Sequence, residues 1–233
     1  MTRWLAPLLA VIAASPARAA ERIVTLGSFE KVRVDGPFEV RIVTGASPGV
    51  KLSGDRELIE RVAVQANGAS LTIRLGNGGW GERFASANNV PPVLTVSTPR
   101  LTNLAIAAGT RATANRLKGQ QVAVSVHGTG SLVIDRVEAD QFTASLLGAG
   151  ALTVSGEANR ARLVSDGTPT IDASRLMVKD LDVQLSGLGE TSAFARQTAS
   201  VISNGLGKVM VRGPATCTVR AIAGGPVVCG SGK

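Results

Sequence analysis

Five arginines, Arg116, Arg136, Arg175, Arg196 and Arg212, each follow a glycine (Gly109, Gly128, Gly167, Gly187 and Gly205) by about seven to nine residues. A guanidinium presents a rigid fork of donors that fits a carboxylate or a phosphate. If the segments stack, the five side chains form a ladder along one edge. Like charges about 4.8 Å apart repel one another unless an anion lies along them. The chemistry is that of a track for a polyanionic chain. The other reading is a solvated edge, its charges splayed and partly neutralised by Glu138, Glu157 and Asp180. One unit breaks the series, with Gly156-Glu157 in place of the arginine.

A second cluster is Trp80, Arg83 and Phe84, within the Gly-, Asn- and Pro-rich stretch GNGGWGERFASANNVPP (76–92). Aromatic faces stack on pyranose rings and Arg pairs with acidic groups, so the three could form a sugar platform. Alternatively, Trp80 folds back over apolar surface. Long loops of this kind are often functional.

Acid/base chemistry has less to draw on. Enzymes that process polysaccharides carry paired or clustered carboxylates, for catalysis or for calcium. Here Asp180 and Asp182 share a strand face, whereas Asp135 and Asp172 lie two repeats apart. His127, the single histidine, has no Ser or Cys partner at a recognisable spacing, and there is no tyrosine. No catalytic residue, cofactor or metal is expected. Cys217 and Cys229 are the only cysteines. In an oxidising compartment they are expected to pair and to clip the last coil; the rivals are free buried thiols or a metal pair.

These residues sit in an internal repeat. VAVSVHGTGSLVI (122–134), FTASLLGAGALTV (142–154), ARLVSDGTPTIDA (161–173), LDVQLSGLGETSA (181–193) and ASVISNGLGKVMV (199–211) follow one another. Their glycines lie 20, 19, 20 and 18 residues apart. Apolar residues alternate on both sides of each glycine, which is strand, tight turn, strand. The G-x-G pairs suit backbone at positive φ. Hairpins satisfy the alternation but not the constant spacing. Stacked coils satisfy both, because one coil cannot bury its apolar face alone. The expectation is an all-β parallel solenoid, right-handed by the general chirality of parallel connections, with a narrow, dry, two-sheet interior of small aliphatic side chains.

Residues 20–98 are β-rich but less regular. Asp55 is a candidate N-cap of one short helix over 55–61, and Asn67-Gly68 a turn. A boundary near Pro99 and a continuous solenoid with irregular early coils both fit. Residues 1–19, MTRWLAPLLAVIAASPARA, have the layout of an export signal: Arg3, the apolar run Leu5 to Ala14, and Ala17-Arg18-Ala19. That apolar run is too short to span a membrane. Removing Arg3 and Arg18 takes the net charge from +8 to +6. An exported basic chain points to anionic envelope partners. Nucleic acid is a poor reading, since there is no motif and no aromatic platform.

The segments FEKVRVDGPFEVRIVTG and VKLSGDRELIERVAVQANGASLTIRL, followed by G-x-G turns, resemble the head GIN domain family of auto-transporter adhesins, from about Phe29 to the end of the repeats. The resemblance implies a right-handed β-helix with G-x-G between its sheets, and a role in adhesion. It supplies no catalytic residues. The sequence departs from the pattern at Gly167-Thr168-Pro169. Together these readings predict a periplasmic, secreted or surface binding protein, non-enzymatic, that recognises glycan or protein. The alternatives are a polysaccharide-processing β-helix enzyme and an envelope module that self-associates.

Overall fold

The computed structural model describes residues 20–76 and 91–230. In chain order the elements are β1 (Ala20–Thr25), β2 (Lys31–Asp35), β3 (Glu39–Thr44), β4 (Gly49–Gly54), α1 (Arg56–Glu60), β5 (Val62–Asn67), β6 (Ser70–Leu75), β7 (Val93–Thr98), β8 (Asn103–Ala107) and β9 (Arg111–Ala114). The repeats follow as β10 (Leu117–Gly128), β11 (Ser131–Gly148), β12 (Ala151–Gly167), β13 (Thr170–Gly187), β14 (Glu190–Ser203), β15 (Lys208–Arg212), β16 (Thr216–Ala221) and β17 (Val227–Cys229).

The repeats stack in parallel with glycine beside glycine: Gly128 on Gly148, Gly148 on Gly167, Gly167 on Gly187. The chain is a parallel β-solenoid, and the direction of pairing excludes hairpins for the repeats. Each long strand bends around a corner and serves more than one face. Residues 122–128, 142–148, 161–167 and 181–187 form the first face, ahead of the turn. Residues 131–134, 151–154 and 170–173 lie on the second, after it. A third, short face joins them, built from 117–119, 137–139, 156–158 and 176–178. The two-sheet expectation therefore needs a third side. It was hidden because each run buries only one or two side chains among charged ones, such as Val137 between Arg136 and Glu138.

Side chains of adjacent coils compensate in size. Val122, Phe142, Ala161, Leu181 and Ala199 are successive neighbours in one buried row. The Phe142 ring, 1% exposed, lies beside the small Ala161. Alternating large and small rungs suit the close packing of a narrow tube.

The two glycines of a turn are there for different reasons. Gly128, Gly148, Gly167 and Gly187 have φ from +82° to +112°. The second glycines do not, but a Cβ on Gly150 would lie 2.8 Å from the Gly130 carbonyl oxygen. Pro169 fits the second position because that residue is not a donor here. The inter-coil bonds come from its neighbours, Thr168 N to Gly148 O (2.8 Å) and Thr170 N to Gly150 O (3.0 Å). Pro169 lacks an N–H but still accepts from Glu190 N through its own carbonyl (2.9 Å).

Residues 20–76 and 91–98 join the same faces, out of chain order. β2 lies parallel between β6 and β8, and β3 parallel between β7 and β9. Beyond them β1, β4 and β5 pair antiparallel. Asp55 caps α1 by accepting from Glu57 N (2.9 Å) and Leu58 N (3.2 Å). This frees the helix to bury Leu58 and Ile59 over the end of the core. At the opposite end β16 pairs with β14 and β17 with β15, and a Cys217–Cys229 disulfide joins the two last strands.

Candidate binding groove on the third face

The third face carries an open groove of about 540 Å³ that runs across the coils. Its floor is the register row Gly119, Ala139, Ala158 and Val178. Small floor residues beside long polar neighbours leave a channel. One wall is Lys118, Glu138, Glu157 and Met177, and the other includes Gln120, Asp140, Asn159, Lys179 and Arg196. Arg100 closes one end of the lining.

Glu138 is the electrostatic centre. Its carboxylate accepts from Arg116 (2.5 Å), Arg136 (2.9 Å) and Lys118 (3.3 Å). The Arg116 guanidinium, with Lys118 behind it, holds the Glu138 carboxyl below its usual range against the opposing effect of burial. Three cations on one anion leave a local surplus of positive charge. Across the floor, Asp140 accepts from Asn159 Nδ2 (2.9 Å).

The five arginines do not share one row. Arg116 and Arg136 come together, since Leu117 pairs with Val137. Ser155 stands between them and Arg175, which it neighbours directly. The coil of β14 is then shorter at the corner: Ala193 faces Ala173, but Phe194 already faces Met177. Arg196 consequently falls opposite the stretch holding Lys179, on the groove wall. Arg212 neighbours Phe194. Arg175 and Arg212 both act on Asp172, whose carboxylate accepts from Ser174 Oγ (2.6 Å) and N (3.1 Å). Counting from a glycine finds the corner but not the rung, because coils of different length lose or gain residues at corners. Lys118 and Lys179 were not singled out from the sequence. The signal was there, in the alternation Val137/Ala139 and Leu176/Val178 after each arginine. Trp80, Arg83 and Phe84, and residues 1–19, lie outside the described residues.

The family described as "Putative auto-transporter adhesin, head GIN domain" matches residues 28–215, most of the chain. The chain belongs to the head GIN domain family. No curated protein matches this head GIN sequence. Solved structures do resemble it. A "putative adhesin" from Bacteroides fragilis superposes with a TM-score of 0.78 at 16% identity, covering 93% of this chain and 95% of that one. A "putative adhesin" from Parabacteroides merdae gives 0.70 at 16%, covering 94% and 98%. A "putative lipid binding protein" from Parabacteroides distasonis gives 0.70 at 14%, also covering 94% and 98%. At such identities the likeness establishes the fold.

In this head GIN solenoid Asp180 and Asp182 do share a face. They line a cavity of about 310 Å³ with Arg160 and Arg162, their direct cross-strand neighbours. Asp180 accepts from Thr198 Oγ1 (2.6 Å). The cavity thus mixes both charges, and His127 is not part of its lining. Among the described residues no group of three or more His, Cys, Asp or Glu is placed to hold a metal, and no helix is long and apolar enough to cross a membrane.

Acid sensitivity follows from Glu138 and Asp172. The Ser174 hydroxyl first, then its amide and the two arginines, lower the Asp172 carboxyl, with burial opposing. A carboxyl lowered in the folded state contributes stability above its unfolded value, and that contribution is lost as pH falls through the folded one. The thermal midpoint is expected to hold from pH 7 to about 5 and to drop below pH about 4. Melts of the Glu138→Gln/Asp172→Asn variant over the same range test this: a drop as steep as the wild type's would place the acid sensitivity elsewhere.

Proposed function

We propose that this head GIN domain protein is exported and binds rather than catalyses, holding anionic glycan chains of the envelope or of a host surface along the third-face groove. One observation carries the reading: cations outnumber carboxylates there. Arg100, Lys118, Lys179 and Arg196 line the groove and Arg116 and Arg136 lean on Glu138 beside it, six against Glu138, Asp140 and Glu157 of the lining and Glu30, which pairs with Arg100. The groove runs across coils whose strands lie about 4.8 Å apart, so a chain lying in it meets polar groups at regular intervals. The adhesin description of the family and a disulfide suited to an oxidising compartment support export and binding. Arg175 and Arg212, gathered around Asp172, would extend the positive edge.

The test is retention of residues 20–233 on neutral and anionic glycans at low and high salt, with the glycans sized afterwards. Anionic chains should bind at low salt and be released at high salt. Lys179→Glu with Arg196→Glu should weaken binding about tenfold or more, since reversal turns attraction into like-charge repulsion. Retention unchanged by both reversals would overturn the groove as the site, and shortened chains would favour the polysaccharide-processing alternative.

A second reading, self-association, rests on a different observation. Leu188 and Leu206, the middle residues of two G-x-G turns, are each 63% exposed. Concentration-dependent oligomers that Leu188→Ser/Leu206→Ser disperses, without glycan affinity, would favour it.

A further inference from the structure

We infer that a compact oxyanion, the phosphate or sulfate group of a monoester or the free ion, binds in a second cavity where the early strands meet the first full repeat coil. This cavity of about 270 Å³ is walled by three chain segments: Thr44-Gly45, Pro99 to Leu101, and Asn115-Arg116 with Lys118. Three of its eight lining residues, Arg100, Arg116 and Lys118, are cations, and none is a carboxylate. The balancing carboxylates lie outside the lining. Glu30 accepts from Arg100 Nε (3.2 Å) and Nη2, and Glu138 accepts from Arg116 and Lys118.

Those bonds orient the cations without exhausting them. An arginine has five N–H donors and a lysine three. Arg116 and Lys118 each spend one on Glu138, and Arg100 two on Glu30. Arg136 also leans on Glu138 (2.9 Å), so four cations stand against two carboxylates. The rest of the wall is tied down. Asn115 Oδ1 accepts from Thr44 N (2.9 Å) and Oγ1 (3.0 Å), locking the two segments together. Gly45, at φ +89°, carries the chain out of β3 and leaves the space beside it open. Guanidinium and ammonium groups bordering one cavity, on segments joined through Asn115, can match the peripheral oxygens of a tetrahedral anion through charge-assisted bonds. An extended apolar or neutral ligand would leave these charges unanswered.

Arg100, Arg116 and Lys118 serve both readings, whereas Lys179 and Arg196 belong to the groove alone. The experiment is calorimetric titration of residues 20–233 at low ionic strength with inorganic sulfate, inorganic phosphate and a hexose 6-phosphate. Saturable binding at one site is expected. Arg116→Gln and Lys118→Gln should each weaken it about tenfold, the scale of one lost hydrogen bond to a charged group. Arg116→Lys should lose less, and Arg162→Gln, on the first face, should lose nothing. Melting curves confirm that each variant is folded. Tighter binding of the hexose phosphate than of the free ions would identify an ester as the source, and the reverse order would identify the ion. Absence of saturable binding, or equal weakening by Arg162→Gln, would overturn the inference. Lys179→Glu leaves this cavity intact, so loss of glycan binding there with sulfate binding retained separates the two proposals.

Discussion

Gly187→Ala is expected to cost about 3–5 kcal/mol, the largest effect of any single methyl group in the turn column. Two penalties fall on the same atom. The residue has φ +107°, where a side chain is strained, and its Cβ would stand 2.2 Å from the Gly167 carbonyl oxygen of the neighbouring coil. Neighbouring glycines separate the two. Gly128 has φ +82° with nothing within 4 Å of a Cβ, so Gly128→Ala should cost only backbone strain, about 1–2 kcal/mol. Gly205 lies outside the left-handed region, but its Cβ would meet Gly187 O at 2.0 Å, so Gly205→Ala should cost crowding alone, about 1–3 kcal/mol. Urea unfolding of the three variants should rank them Gly128, Gly205, Gly187. Equal losses at Gly128 and Gly187 would mean that the coils slide apart and crowding is cheap.

That pairing of causes shows what a sequence can carry. The glycine period and the alternation Val122, Val124, Val126 are local patterns, and they led to parallel stacking because only stacking explains a constant repeat. The Asp55 cap and the turn signal at Asn67-Gly68 are also local; the structure has the cap, and a turn one residue later, on Gly68-Ala69, because Asn67 still pairs with Ser70. The reason for the second glycine is not local. Gly150 is crowded by a residue twenty positions earlier, and nothing in its own triplet says so. The same holds for the stacking order at the start of the solenoid. β2 meets β6 and β8 through pairings of long separation, while its own alternation, Val32 and Val34, would suit any position in the stack.

The positions of the basic residues were legible in part, and their geometry was not. Arginine follows five of the turns, and the structure places Arg116 beside Arg136 and Arg196 on the groove wall. The rung of each arginine depends on where a coil of 18 or 20 residues gains or loses length. The solenoid makes that adjustment at corners, between Ala173 and Met177 for example, and keeps the faces in register. Corners are where backbone bonds between coils are fewest to lose, so an irregularity there costs little. They are also where the long polar side chains stand. Length variation and long polar side chains therefore share the same positions, and a groove can change its charge from coil to coil while the core row from Val122 to Ala199 stays intact.

Removing the Cys217–Cys229 disulfide should be costly in a confined way. The bond spans 12 residues and joins the outermost strands of the first and second faces. By loop entropy it contributes about 3 kcal/mol. β16 has little else to hold it: of its six residues only Cys217 is even half-buried, and its remaining bonds go to β14 on one side. In a stacked repeat each coil depends mainly on its neighbours, so the loss should stay at that end. Hydrogen exchange of the Cys217→Ser/Cys229→Ser variant is expected to accelerate at least tenfold over Thr216–Ala221 and Val227–Cys229 and to change little in β11 to β13. Fraying would also uncover the next strand edge, with Val219 and Val228 already 43% and 49% exposed, so the variant should associate at concentrations where the oxidised protein does not. A uniform rise in exchange along the whole solenoid would show instead that the chain unfolds as one unit and that the disulfide stabilises all of it.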